Sequence, residues 1–306
     1  MARSMIPDGL DLLDELLTPS ARVAVGLDYA ASEENWGLCV LVLAERLDDA
    51  QLALLLPAAG PRYTRRPSAA LLGEVLERVE RHGCAASVAV DVPFGWPAEC
   101  SSFLSAWRAS GVDPASVVLP DRKHFEWRLT DRIFHERLGA RPLSVSADAL
   151  GQAAFAWART RQELGSWLGT VDVGLDGREA TGVQMFETYP AAFVRSHAGE
   201  LRNYKKRPEV RRKLLEQLLG THRVANRERW EAALSWAVDQ KGSPDACDAL
   251  LCALLGWAHL RWRAGQPDAH LTRPEVWLGA ERTRAEADRI AREGWMLIPW
   301  KGSSAA

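Results

Sequence analysis

Three short apolar runs that each close on an acid constrain this chain more than any other feature. They are Arg22 to Asp28 (RVAVGLD), Ser87 to Val92 (SVAVDV, with Asp91 fifth) and Val183 to Glu187 (VQMFE). Runs of β-branched and long apolar residues bounded by turn residues predict strands. The second run is apolar on both faces, as a central strand covered on both sides requires, and Pro93-Phe94-Gly95-Trp96-Pro97 stops it. Thr188-Tyr189-Pro190 stops the third. Asp28, Asp91 and Glu187 are therefore expected at the C-terminal ends of strands, where open α/β sheets bind ligands.

The other elements follow from periodicity. Trp36 to Ala44 (WGLCVLVLA) predicts a strand that forms a hairpin with the first, Gln51 to Leu56 a third strand, and 57–67 a loop. Leu71, Leu72, Val75, Leu76 and Val79 recur at helical spacing up to Gly83, so a crossover helix leads into the Ser87 run. The stretch from about 98 to 182 is mainly helical in character and too long for an ordinary crossover, so it reads as an insertion. After Pro190 the chain is expected to be helical, near 191–198, 208–219, 226–238 and 243–264, with Gly294 to Trp300 as a last short strand or packing segment. Ser243-Pro244-Asp245 combines a good N-cap, a proline suited to the first turn and an acid that complements the helix dipole. Asp245 and Asp248, three apart, share a face away from the apolar stripe of Cys247, Leu250, Leu251 and Leu254. Residues 1–20 read as an acidic amphipathic appendage, 21–300 as a single domain and 301–306 as a tail.

Composition narrows the class. A chain of 306 residues with 47% hydrophobic and 25% charged residues can bury a large α/β core and is neither disordered nor a rod. The net charge of -2 predicts no polyanion partner for the chain as a whole, so nucleic-acid affinity would need a local patch. The five cysteines form no Cys-x-x-Cys pair and no zinc spacing, and read as reduced, buried hydrophobes. Thirteen tryptophans outnumber seven phenylalanines and four tyrosines; packing is the plain reading and base stacking the functional one. Acids stand where a signal peptide would place its apolar stretch, and no run approaches the ~18 apolar residues of a membrane span, so a cytoplasmic protein is expected. A homodimer is expected only as the generic state.

If the strands ending at Asp28, Asp91 and Glu187 are parallel neighbours, ~4.8 Å apart, their carboxylates repel one another strongly. Divalent cations are the usual remedy, and oxygen-only ligation suits Mg²⁺ or Mn²⁺. Two such ions ~4 Å apart would support phosphodiester hydrolysis without a protein nucleophile. Each acid alone is more simply a turn or capping residue. Capping accounts for Asp245 entirely, which leaves Asp248 as the better fourth ligand.

Six segments carry a family resemblance: Gly26 to Ala30 (GLDYA), Ala89 to Pro97 (AVDVPFGWP), Arg128 to Arg132 (RLTDR), Phe186 to Pro190 (FETYP), Asp245 to Leu250 (DACDAL) and Glu293 to Pro299 (EGWMLIP). In this order they resemble the domain-of-unknown-function family 429, whose members are expected to be nucleases of ribonuclease H-like fold. The resemblance implies a mixed sheet flanked by helices, with antiparallel first strands and the acid-ended strands parallel. It also implies Asp28, Asp91, Glu187 and Asp248 as catalytic metal ligands.

Basic and polar groups complete the expected site. Arg128 and Asp131 belong to a matching segment in a basic, aromatic stretch suited to phosphate contact, although an i, i+3 pair can be purely structural. Residues 200–214 hold seven basic side chains, among them Lys205, Lys206, Arg211 and Arg212, against Glu200 and Glu209, a local balance of +5. This is the expected polyanion-facing surface, with Tyr189 positioning a phosphate or water. The leading expectation is a metal-dependent nuclease. The alternatives are a non-catalytic binding or scaffold protein, favoured if the acids are paired with Arg or Lys, and a phosphotransferase of the actin-like class, which would be stabilised by nucleotide.

Overall fold

The computed structural model describes residues 9–32, 35–43, 47, 49–56, 67–106, 120–140, 142–146, 149–164, 182–220, 223–224, 230–231, 237–238, 243–266 and 270–300. Residues 57–66 of the expected loop, most of the helix expected at 226–238, the tail 301–306 and parts of the insertion lie outside these residues.

The chain forms an α/β fold around a mixed sheet. Strands β1 (Arg22–Asp28), β2 (Gly37–Leu43) and β3 (Asp49–Leu56) make an antiparallel meander. β4 (Ala85–Asp91) adds parallel to β1, β5 (Val183–Glu187) adds parallel to β4, and the two-residue β6 (Arg223–Val224) pairs with β3. The order is β5-β4-β1-β2-β3-β6. The three acid-ended strands are thus parallel, as the family resemblance implies, and they are neighbours with β4 in the middle. β6 was not expected, because a two-residue strand leaves no periodicity to read.

Among the described residues, helices precede and follow these strands. They are α1 (Gly9–Leu16), α2 (Ala69–Arg81), α3 (Ala98–Ala106), α4 (Arg122–Glu126), α5 (Leu129–Leu138), α6 (Ala149–Leu164), α7 (Pro190–His197), α8 (Pro208–Gly220) and α9 (Ser243–Arg263). Three short ones close the chain, α10 (Pro274–Leu278), α11 (Ala280–Ala285) and α12 (Ala287–Glu293). α2 starts at Ser68, whose hydroxyl accepts from the Leu71 amide. It buries Leu71, Leu72, Val75, Leu76 and Val79, the five residues whose spacing predicts it, each stabilising the fold by about 1.5–3 kcal/mol.

Strand alternation sorts the sheet's side chains into two layers. Val23, Val25 and Leu27 of β1, Val88 and Val90 of β4 and Met185 of β5 pack with α2. Leu10, Leu13 and Leu17 are buried in this same layer, so the first helix covers the core rather than standing apart from it. Ala24, Ala89 and Phe186 face the other layer, which belongs to α9. There the contact is unusually close. A Cβ on Gly26 would lie 2.1 Å from the Ala249 carbonyl oxygen and 2.1 Å from the Ala253 amide nitrogen, and one on Gly37 would lie 2.2 Å from the Asp245 carbonyl oxygen. Two glycines in adjacent strands and alanines on α9 let a helix backbone rest directly on the sheet.

All five cysteines are unpaired and buried. Trp36, Trp157, Trp230, Trp257 and Trp295 are among the largest fully buried side chains, so packing accounts for them. Among the described residues no helix is long and apolar enough to cross a membrane.

Candidate metal centre

The site is built where α9 meets the ends of β1 and β4. Asp28 and Asp91 are register partners across the parallel pair, and so point to the same face. That face is the one on which α9 lies. Because Gly26 and Gly37 admit the helix backbone, its N-terminal turns reach the strand ends and set Asp248 over the two strand carboxylates. One carboxylate oxygen from each of Asp28, Asp91 and Asp248 lies within 4.8 Å of the others. Asp248 is buried, Asp28 and Asp91 partly exposed.

Glu187 is a correction. Its register partner on β4 is Val90, not Asp91, so alternation assigns it to the opposite face. Its carboxylate is taken up by Arg128, with Nη2 donating to Oε1 at 2.6 Å and Nη1 to Oε2 at 2.7 Å, while the Phe94 amide donates to Oε2 at 3.0 Å. Glu187 is near enough to Asp91 to influence its charge, but it is not one of the clustered ligands.

Arg128 and Asp131, expected at the substrate, are instead structural. Arg128 begins α5, and Asp131 accepts from its backbone amide at 2.9 Å. Its guanidinium donates through all five N–H groups: Nε and Nη2 to Asp131, both terminal nitrogens to Glu187, and Nη1 also to the Glu293 carbonyl. Arg128 is 1% exposed. The Glu293 carboxylate, also buried, receives the Ala98 amide at the start of α3 and the Leu129 amide at the start of α5. One acid from the C-terminal region caps two helices of the insertion.

The basic segment divides in the same way. Arg211 is buried and donates to the backbone carbonyls of Tyr204, Lys205 and Val238. Tyr204 is buried, and its hydroxyl donates to Asp248 Oδ1 at 2.6 Å. Lys205 turns its ammonium inward to pair with Asp248 Oδ2, although its side chain is 49% exposed. It therefore belongs to the acid cluster. Lys206 and Arg212 are exposed, as are Arg202, Arg207 and Lys213. Tyr189 starts α7 and lies close enough to Asp91 for that carboxylate to raise its pKa, adding to the larger effect of burial. Tyr204 and Lys205 as partners of Asp248 were not foreseen: in sequence they are two members of a basic run.

The cluster's electrostatics are those of crowded acids. Loss of hydration raises the Asp28 pKa well above the usual carboxylate range, with Asp248 and Asp91 adding to it and Lys205 opposing. Asp91 is pushed up to about 7, again first by loss of hydration, with Lys205 opposing and Asp248 and Glu187 adding. Among the described residues, no hydrogen-bond donor reaches either carboxylate. An acid whose folded pKa lies above its unfolded value takes up protons on folding. The metal-free protein should therefore gain stability as pH falls from above 7 towards 4, and lose it on the way back up. Thermal unfolding in chelator across that window checks this; Asp91→Asn should raise Tm at pH 8 and flatten the profile, and a Tm unchanged or lowered in that variant would contradict it.

The three acids offer a hard, oxygen-only donor set whose mutual repulsion Lys205 offsets only in part, and such a set could hold a divalent cation. Taken together, the fold and the site define a class: an α/β protein with a mixed sheet and a carboxylate cluster at the ends of its parallel strands. The family model described as "Protein of unknown function (DUF429)" matches residues 26–276, and the chain belongs to that family. No curated protein and no solved structure matches it.

Proposed function

We propose that this protein is a metal-dependent phosphodiesterase acting on nucleic acid, with Asp28, Asp91 and Asp248 holding the divalent cation. The observation that carries this reading is the approach of three carboxylate oxygens to within 4.8 Å of one another at the C-terminal ends of parallel strands. The order of three antiparallel strands followed by two parallel ones supports the ribonuclease H-like expectation. A bound ion's contribution there is activation of water and polarisation of a phosphoryl oxygen. Asp28 and Asp91 supply the negative charge that holds it, and α9 fixes Asp248 opposite them. Exposed Lys206, Arg212 and their basic neighbours face solvent, where they serve the phosphate backbone, so binding should weaken steeply with salt.

A second reading, a binding protein that keeps the fold without catalysis, is favoured by two pairings: Glu187 with Arg128, and Asp248 with Lys205. In it Lys205 alone relieves the acids. Labelled DNA, RNA, hybrid and branched substrates with Mg²⁺ or Mn²⁺ separate the two. Cleavage by the wild type, lost in a folded Asp28→Asn variant, is the expected result. No cleavage by either would transfer the assignment to the binding protein.

A further inference from the structure

The Lys205 ammonium is built into the cluster. Buried Tyr204, the residue before it, bonds to Asp248 Oδ1, and the ammonium pairs with Oδ2 of the same carboxylate. Arg211 donates to the carbonyls of both Tyr204 and Lys205, at 3.1 Å each, which pins the turn that delivers them. A surface lysine has none of these constraints. Both oxygens of the most buried of the three clustered acids are therefore engaged by the protein itself.

We infer that Lys205 is a permanent second cation of this site and that Asp28, Asp91 and Asp248 take up one divalent ion beside it, not two. Three ionised carboxylates carry a formal charge of −3. With Lys205 the site stands at −2, which one divalent ion balances; a second would leave about two positive charges in excess in a poorly hydrated place, a costly arrangement. Asp245, partly buried on the same helix end, adds a negative charge near Asp248, and Arg211 a positive one, so they leave the sum unchanged. The two-ion expectation drawn from the acids alone is replaced by one ion plus one lysine. Lys205 is in this sense a positioning residue for the metal.

This inference rests on the metal-binding reading, and calorimetric titration of metal-stripped protein with Mn²⁺ tests the two separately. The wild type should bind one ion. Lys205→Met should bind either two ions or one ion at least tenfold more tightly, because a contact charge repelling the metal is gone, while Lys205→Arg should keep the stoichiometry at one. Circular dichroism and thermal unfolding confirm that each variant is folded, and Asp28→Asn serves as the binding-deficient control. Two ions in the wild type, or binding by Lys205→Met that is unchanged or weaker, would overturn the role of Lys205 and leave the metal site standing. If neither wild type nor Lys205→Met bound Mn²⁺, the metal-binding reading would itself fall, and this inference with it.

Discussion

Replacing Arg128 with alanine should remove about 3–5 kcal/mol of stability, since it strands two buried carboxylates, Glu187 and Asp131, with no counter-charge. Against the ~5–15 kcal/mol that holds a typical domain together, that loss brings the protein to the edge of unfolding at ordinary temperature. The reason is geometric. All five donors of the guanidinium are used, so its loss leaves Glu187, Asp131 and the Glu293 carbonyl each short of a donor at once. Lysine keeps the charge but cannot make the fork to Glu187 and Asp131 together, so Arg128→Lys should fall between wild type and alanine. Pairing Arg128→Met with Glu187→Gln should recover part of the loss. Urea unfolding midpoints give the ranking; an alanine variant within about 1 kcal/mol of wild type would show the network to be dispensable.

Gly26→Val should be comparably severe and should also abolish metal binding. Any Cβ at this position meets backbone atoms of α9, not the yielding end of a side chain. Overpacking of a core usually costs ~1–3 kcal/mol, and a clash with two residues of the α9 backbone belongs at or above the top of that range. The helix can relieve it only by lifting off the sheet, which carries Asp248 away from Asp28. Gly256→Ala is the graded comparison, because there the added atom lies 3.0 Å from the Ser87 carbonyl oxygen and a small shift suffices. Thermal unfolding and Mn²⁺ titration of both variants should place Gly26→Val far below Gly256→Ala on each measure; equal effects would mean that the close approach does not set the site.

The strands were legible because their apolar runs stop sharply, and the acids at their ends were legible for the same reason. What the sequence cannot display is register. Whether Glu187 joins Asp91 or turns away depends on a one-residue offset between β4 and β5, and the pairing of Val90 with Glu187 decides it. Asp28 and Asp91 happen to be in step. The basic residues are hard to place for a related reason: charge in sequence suggests solvent, yet Arg128 is buried with acceptors for all its N–H groups, and Arg211 is buried with both terminal nitrogens on backbone carbonyls. The one local hint for Arg128 was an acid three residues on, the pattern that closes the first turn of α5. Nothing in the 200–214 run distinguishes Lys205, which turns inward, from Lys206, which does not, since only the anchoring of Tyr204 on Asp248 separates them.

Glu293 also bears on the order in which this protein can be assembled. The helix starts at Ala98 and Leu129 wait for a carboxylate 195 and 164 residues downstream, and the outer edge of β5 is met by Met296 and Leu297. A growing chain therefore carries two helix starts without this carboxylate, and a β5 edge without its neighbour, until residues 293–297 have been added. Contacts so distant along the chain carry a large loop-closure cost before they return any stabilisation. The helix starts at Ala98 and Leu129 are therefore completed only when the segment around Glu293 docks, however early the rest of the insertion forms.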